Sequence, residues 1–449
     1  MDRNRLSSLI VDERERFARE HPRSRELFDE AGRGLLAGVP MSWMARWPGG
    51  HPIFATEASG ALLTDVDGIG YVDFCLGDTG AMAGHGPEAT ATAVAERYRR
   101  GATTMLPTED SIWVADELTR RFGLPKWQLT LSATDANRFA IRLARQITGR
   151  RRVLFFNYCY HGTVDESFVV IGRDGRAVSR EGNVGPPVDP GETSAVVEFN
   201  DAGALEEALK EGEIACVITE PALTNIGIVL PEPGFHDALR ELTRAAGTLL
   251  LIDETHTFSA GPGGYTAAHG LQPDLLTIGK AIAGGVPAGA FGMSEEVAER
   301  VTGQLDADYE DTGGVGGTLA GNPLTAAAIR ATLGEVLTAA AFEGMIDLAT
   351  RFTEGVQGTL DSTQLPWNVV QLGARAEYGF LPEPPASGGE AAAGGDPELE
   401  EFLHLYLLNR GVLITPFHNM ALMSPATRSE DVDRHTAVFT EACELLASS

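Results

Sequence analysis

Six short apolar runs punctuate the middle of the chain: Trp127 to Leu131, Val153 to Phe156, Ala215 to Thr219, Thr248 to Ile252, Leu275 to Ile278 and Ala288 to Gly292. Each is predicted to be a strand, and the run Leu275 to Ile278 is apolar enough to be expected buried on both faces. From about Ala81 to Pro323 these runs alternate with amphipathic helical segments. That rhythm is the βαβ signature and predicts an α/β fold, a mostly parallel central sheet with helices on both sides. The flanks read differently. A helix-rich arm is expected over Val11 to Gly34, then an irregular Trp/Pro/Gly stretch at Met41 to Gly50. Leu62 to Phe74 reads as a hairpin turning at Asp67-Gly68. After Asn322-Pro323 the pattern is helical from Leu324 to about Thr363 and then mixed, with Pro382 to Pro397 expected to be an exposed loop. The expected division is an arm and hairpin segment at 1–75, a large domain at 76–323 and a small α+β domain at 324–449.

A chain of 449 residues exceeds one ordinary core, which supports that subdivision. Its 63 acidic against 35 basic residues give a net charge of −28, which weighs against a nucleic-acid or anionic-membrane partner. No apolar run approaches 18 residues, and Met1-Asp-Arg-Asn-Arg-Leu6 is too polar to lead a signal peptide, so a cytoplasmic protein is expected. Cys75, Cys159, Cys216 and Cys443 are too widely spaced for a zinc framework or a disulfide scaffold and read as reduced core thiols.

Two strand ends carry chemistry. Asp274-Leu-Leu-Thr-Ile-Gly-Lys280 is an apolar strand ending in a lysine, followed at once by Ala-Ile-Ala-Gly-Gly285. The run Gly247-Thr-Leu-Leu-Leu-Ile-Asp253 ends in a carboxylate. Ligands of open α/β sheets gather outside the carboxyl ends of the strands. The cofactor that wants an amine and an acid there is pyridoxal 5'-phosphate, whose aldehyde forms a Schiff base with lysine and whose ring nitrogen stays protonated beside an acid. Alone, Asp253 would read equally well as a helix cap and Lys280 as a solvated surface residue.

Other strand ends fit around that pair. Leu129 to Asn137 passes from strand to a helix beginning near Asp135, with small residues that expose the first amides to a phosphate and Thr134 adding a hydroxyl. Arg138, Arg142 and Arg145 follow at helical spacing and read as a solvated face. Tyr160, in Tyr160-His161-Gly162, fits either a core ring or one stacked on a planar cofactor. Asn225, after Glu220-Pro221, fits either turn chemistry or an amide donating to the cofactor's phenolic oxygen.

These motifs carry a resemblance. The chain resembles the class III, fold-type I pyridoxal-phosphate aminotransferases, and within them the glutamate-1-semialdehyde 2,1-aminomutase type and its transaminase relatives. The likeness runs from about Ser24 to the C-terminus through Asp65-Val-Asp-Gly68, Ser132-Ala-Thr-Asp-Ala136, Tyr160-His-Gly162, Glu220-Pro221, Ile252-Asp-Glu254, Pro273 to Lys280 and Gly317-Thr-Leu-Ala-Gly-Asn-Pro323. It implies that Lys280 carries the cofactor and shuttles a proton, that Asp253 pairs with the pyridinium, and that Tyr160 and Thr255 lie against the two ring faces. By the same resemblance Ala133 and Thr134 bind phosphate, Asn225 approaches the ring hydroxyl, and Thr318 reaches the phosphate of a neighbouring subunit, so a homodimer sharing its active sites is implied.

Departures bear on the substrate, expected to be a small amine or amino acid and a carbonyl compound. Ala133 stands where the family has glycine and Thr255 where it has valine. His256 follows, fitting either a buried hydrogen-bonded imidazole or a substrate-facing one. Met44 and Gly77-Asp78 replace an expected arginine and Ser-Trp of the pocket wall, leaving Arg46, Arg375 or His418 as candidates to hold a substrate carboxylate. On these grounds a ping-pong aminotransferase is the first expectation and an intramolecular 2,1-aminomutase the alternative.

Overall fold

In the computed structural model, which describes residues 2–303 and 313–447, all six apolar runs become strands of one seven-stranded sheet. In chain order these strands are β1 (Lys126–Thr130), β2 (Arg152–Phe156), β3 (Ser194–Val197), β4 (Ile214–Thr219), β5 (Leu249–Asp253), β6 (Leu275–Gly279) and β7 (Gly289–Met293). Across the sheet they run β1-β7-β6-β5-β4-β2-β3. β7 is antiparallel to both its neighbours, whereas the pairs from β6 through to β3 are parallel. The strand missed by the sequence reading is β3, four residues at the sheet's edge.

Burial follows the apolar pattern. Every residue of β4, β5, β6 and β7 is buried, while edge strand β1 alternates between exposed and half-buried positions from Lys126 to Leu129 and is buried only at Thr130. Removing one leucine or isoleucine side chain of such a strand from water is worth about 2 kcal/mol. Helix α1 (Ala133–Thr148) packs on this core through Ala136, Ala140, Ile141, Ala144 and Ile147, the spacing of one helical face. It starts two residues before the expected Asp135, because Ser132 accepts from the Asp135 amide and serves as N-cap.

The residues form two compact units. The sheet belongs to the unit made of Glu88–Phe342 and Pro385–Ala393. The other comprises Met1–Pro87, Glu343–Pro384 and Gly394–Ser449. Within it the hairpin pairs Leu62–Asp65 with Gly70–Asp73, turning at Gly68 with φ +82°, a value glycine adopts freely. The N-terminal arm is two helices, Arg3–Glu20 and Pro22–Ala31. His21 between them lies 2.8 Å from the Tyr71 hydroxyl, which donates to Asp65 at 2.7 Å, and Glu13 pairs with Arg410 at 2.9 Å. A second sheet joins Asn368–Leu372, Arg375–Gly379 and Met420–Leu422. The Pro382 to Pro397 segment, expected as a loop, contains a short helix at Gly388–Ala393. There Gly389 donates its amide to Glu198, and a Cβ on Gly388 would lie 2.0 Å from the Asn157 carbonyl oxygen. Among the described residues no single helix is long and apolar enough to cross a membrane.

Candidate active site

Asp253 and Lys280 stand at the carboxyl ends of adjacent parallel strands, with Asp253 opposite Thr277 in the ladder and Lys280 three residues beyond it. The chain turns sharply there. Lys280 has φ +51°, left-handed backbone that a lysine rarely adopts, and opens a short helical turn to Ala283. Such strain concentrates where a side chain must be aimed. Gly279 just before it is needed for a different reason: a Cβ there would come within 2.8 Å of the Ala133 side chain and 2.9 Å of its amide. The start of α1 therefore rests directly on the strand that ends in Lys280. Gly289 of β7 meets the same turn, since a Cβ there would lie 2.4 Å from the Ser132 carbonyl oxygen.

This packing leaves Ala133 and Thr134 at the head of α1 with amides that no helical carbonyl can reach, because Ser132 satisfies only Asp135 and Ala136. Thr134 also accepts, through its hydroxyl, from the Thr163 amide at 3.2 Å, tying α1 to the loop after β2. Such a helix start suits an anion. Gly162 lies so near that an added Cβ would collide with Thr134.

Asp253 is buried and held by donors. Its Oδ2 accepts from Asn137 at 2.8 Å and from His161 Nδ1 at 3.0 Å, and its Oδ1 from the Thr255 amide at 3.0 Å. Asn137 is itself oriented by the Thr277 hydroxyl at 2.6 Å. Burial alone would raise the Asp253 pKa. His161 by hydrogen bond and charge, with Thr255 and Asn137, more than reverses that and holds it below the ordinary carboxylate value. Burial likewise opposes charge on His161, but Cys159 and Asp253 outweigh it and push the imidazole up to about 10. The site thus holds a carboxylate that is ionised in the buried state, suited to a cationic ring nitrogen. Thr255 beside it is buried. The ionised acid, the two amides at the head of α1 that no helical carbonyl reaches and a lysine form a donor set that fits pyridoxal phosphate.

The remaining expected residues are arranged as follows. Tyr160 is half-buried, edge-on to Phe168 with centroids 6.3 Å apart. Asn225 follows β4, and its amide donates to the Tyr158 carbonyl at 2.9 Å, joining the β4 and β2 loops. Thr318 is exposed in the turn before the helix at Pro323. Of the arginines expected on a solvated face, Arg138 and Arg142 are exposed, Arg142 donating to the Gly314 carbonyl, whereas Arg145 is half-buried and pairs with Glu166 at 2.6 Å.

Sequence reasoning missed the support around Asp253. Asn137 left a usable signal, a polar residue on the buried stripe of α1. His161 was visible only as part of Tyr-His-Gly, and its partner lies 92 residues away. His256 was left between two readings. Its Nε2 lies 2.9 Å from Lys280 Nζ, so it belongs with the lysine.

Comparison with known proteins agrees with this geometry. Residues 43–442 match the aminotransferase class-III family. A glutamate-1-semialdehyde 2,1-aminomutase of Desulfitobacterium hafniense is 34% identical over 92% of this chain and 95% of its own length. The solved structure of a glutamate-1-semialdehyde-aminomutase from Pseudomonas aeruginosa PAO1, in complex with PMP, is 51% identical, covers 99% of both chains and superposes with a TM-score of 0.97. An omega-transaminase from Sphaerobacter thermophilus is 30% identical over 94% of this chain and 97% of its own, with a TM-score of 0.85. The strand order, the acid and lysine at adjacent strand ends and the whole-chain likeness agree: this chain belongs to the class-III aminotransferases, fold-type I enzymes that depend on pyridoxal phosphate.

Proposed function

We propose that Lys280 carries pyridoxal 5'-phosphate, that Asp253 faces its ring nitrogen, and that the Ala133 and Thr134 amides receive its phosphate. The observation that carries this is the seating of the α1 start against Gly279, next to Lys280, with Asp253 held ionised one strand away. When bound, the cofactor supplies an electron sink for the bond broken at the substrate carbon. Lys280 takes and returns the proton at that carbon. His161 and Asn137 keep Asp253 oriented and charged. Tyr160 and Thr255 lie against the ring faces, and Asn225 approaches the ring hydroxyl. Thr318, exposed here, reaches the phosphate site of a second copy in a homodimer. Four buried, unpaired cysteines fit a reducing, cytoplasmic setting.

For the overall reaction we infer a 2,1-aminomutation, an amino group moved between adjacent carbons of one substrate of the glutamate-1-semialdehyde type. Support comes from whole-length likeness to proteins of that name at 34% and 51% identity. It reverses the order expected from Met44 and Asp78, which favoured transfer between two substrates. One observation still favours that second reading. Of the residues expected to hold a substrate carboxylate, Arg375 and His418 both pair with Glu377, at 3.6 and 3.4 Å, and Arg46 is exposed. Isomerisation of glutamate-1-semialdehyde with no added amino acceptor or donor is the expected result. Turnover that appears only when a separate amine and keto acid are supplied would establish the transaminase instead.

A further inference from the structure

His256 Nε2 and Lys280 Nζ lie 2.9 Å apart, a hydrogen-bond distance between two nitrogens. An ammonium donates to an unprotonated Nε2, whereas an amine can also accept from Nε2–H, so the contact is kept in either state of the lysine. Both side chains are half-buried, and both are fixed at the backbone. His256 follows the carboxyl end of β5 and directly precedes the helical turn Thr257–Ala260, which Thr257 fastens to Glu254 at 2.6 Å. Lys280 begins the turn after β6 in left-handed backbone.

We propose that His256 is a positioning residue that holds the Lys280 amine in place through this contact. The inference rests on Lys280 being the proton-carrying lysine of the proposed site. With the cofactor bound, the proton leaving the substrate carbon would form a new N–H bond on the Lys280 amine, and the electron pair of the broken C–H bond would be taken up by the cofactor. His256 Nε2 would keep that nitrogen in place through its contact with it. Delivery of the proton to the next carbon would break the N–H bond and restore the amine. The imidazole would be neither oxidised nor consumed.

Protein freed of cofactor gives the test, because the chain has only three lysines, Lys126, Lys210 and Lys280. Lys126 and Lys210 have side chains 55% and 58% exposed and serve as internal standards. The apo protein is labelled at neutral pH with a limiting amine reagent, acetic anhydride, and each lysine peptide is quantified by mass spectrometry. The contact ties the Lys280 amine to the imidazole. Its removal in His256→Phe, which adds bulk rather than access, is therefore expected to speed Lys280 labelling about fivefold relative to the standards. His256→Gln, whose amide oxygen still accepts, is expected to stay near wild type, a rescue that a merely structural role would not produce. Should the phenylalanine variant not fold, His256→Leu carries the same comparison. Equal labelling of Lys280 in wild type and the apolar variant, or a glutamine variant that behaves like the apolar one, overturns the proposal. Whether Lys280 takes the cofactor is read separately, by borohydride reduction of holoprotein, so failure of that assignment is distinguishable.

Discussion

Asp253 and Glu254 are neighbours in sequence, both buried, yet the molecule treats them in opposite ways. Asp253 faces a histidine and an amide that are themselves anchored, and its pKa is lowered. Glu254 faces the Thr257 hydroxyl and the Tyr265 and Thr266 amides, and burial outweighs these donors to raise its pKa. Counting hydrogen bonds does not separate the two. The difference lies in the charge of the donors: a cationic partner sustains a buried anion where neutral dipoles do not. One acid is therefore held as an anion, and the other fastens a loop.

Asp253→Asn should break the contrast most severely. With the anion gone and the fold retained, turnover is expected to fall by about 10³-fold, roughly 4 kcal/mol of barrier, as read from steady-state kinetics and circular dichroism of the same sample. Retained activity would show that the acid is only structural. Glu254→Gln should do the reverse. A side-chain amide cannot accept from all three donors, so stability should drop by about 2 kcal/mol in urea denaturation while turnover per folded molecule stays near wild type.

pH sharpens the same comparison. A carboxyl lowered on folding contributes stability above its ordinary value of 3.8 and loses it as the pH falls through the folded value. One raised on folding, like Glu254, weakens the fold as pH rises from 4.5 through its folded value. His161 adds a third signature. With its pKa raised from 6.5 to about 10, its contribution is complete below 6.5 and fades as the pH climbs to about 10. The stability gap between wild type and His161→Asn, measured by urea unfolding across that range, should therefore close toward alkaline pH. A gap constant with pH would mean that His161 is not charged beside Asp253. The smallest expected change is Thr257→Val, which removes one hydroxyl from Glu254 and should cost about 1 kcal/mol with no effect on cofactor binding.

Much of this site could be read from the chain because strands buried on both faces leave few polar residues, and the polar residue that ends such a strand is conspicuous. Asp253 and Lys280 stood out in that way, and the six apolar runs located all but one strand of the sheet. Strand β3 escaped because four residues at an edge carry too little pattern. Asn137, His161 and His256 acquire meaning only from partners 116, 92 and 24 positions away, and nothing local marks such pairings. Arg375 shows the opposite failure. As a residue type it suits a substrate carboxylate, but the fold gives it Glu377 instead.

Reducing the cofactor-loaded protein with borohydride and mapping the label by mass spectrometry tests the central claim most directly. The label is expected on Lys280 and on neither Lys126 nor Lys210, and Lys280→Ala is expected to lose both the label and the near-visible absorption band. Label on another lysine, or a band that persists in Lys280→Ala, would contradict the account.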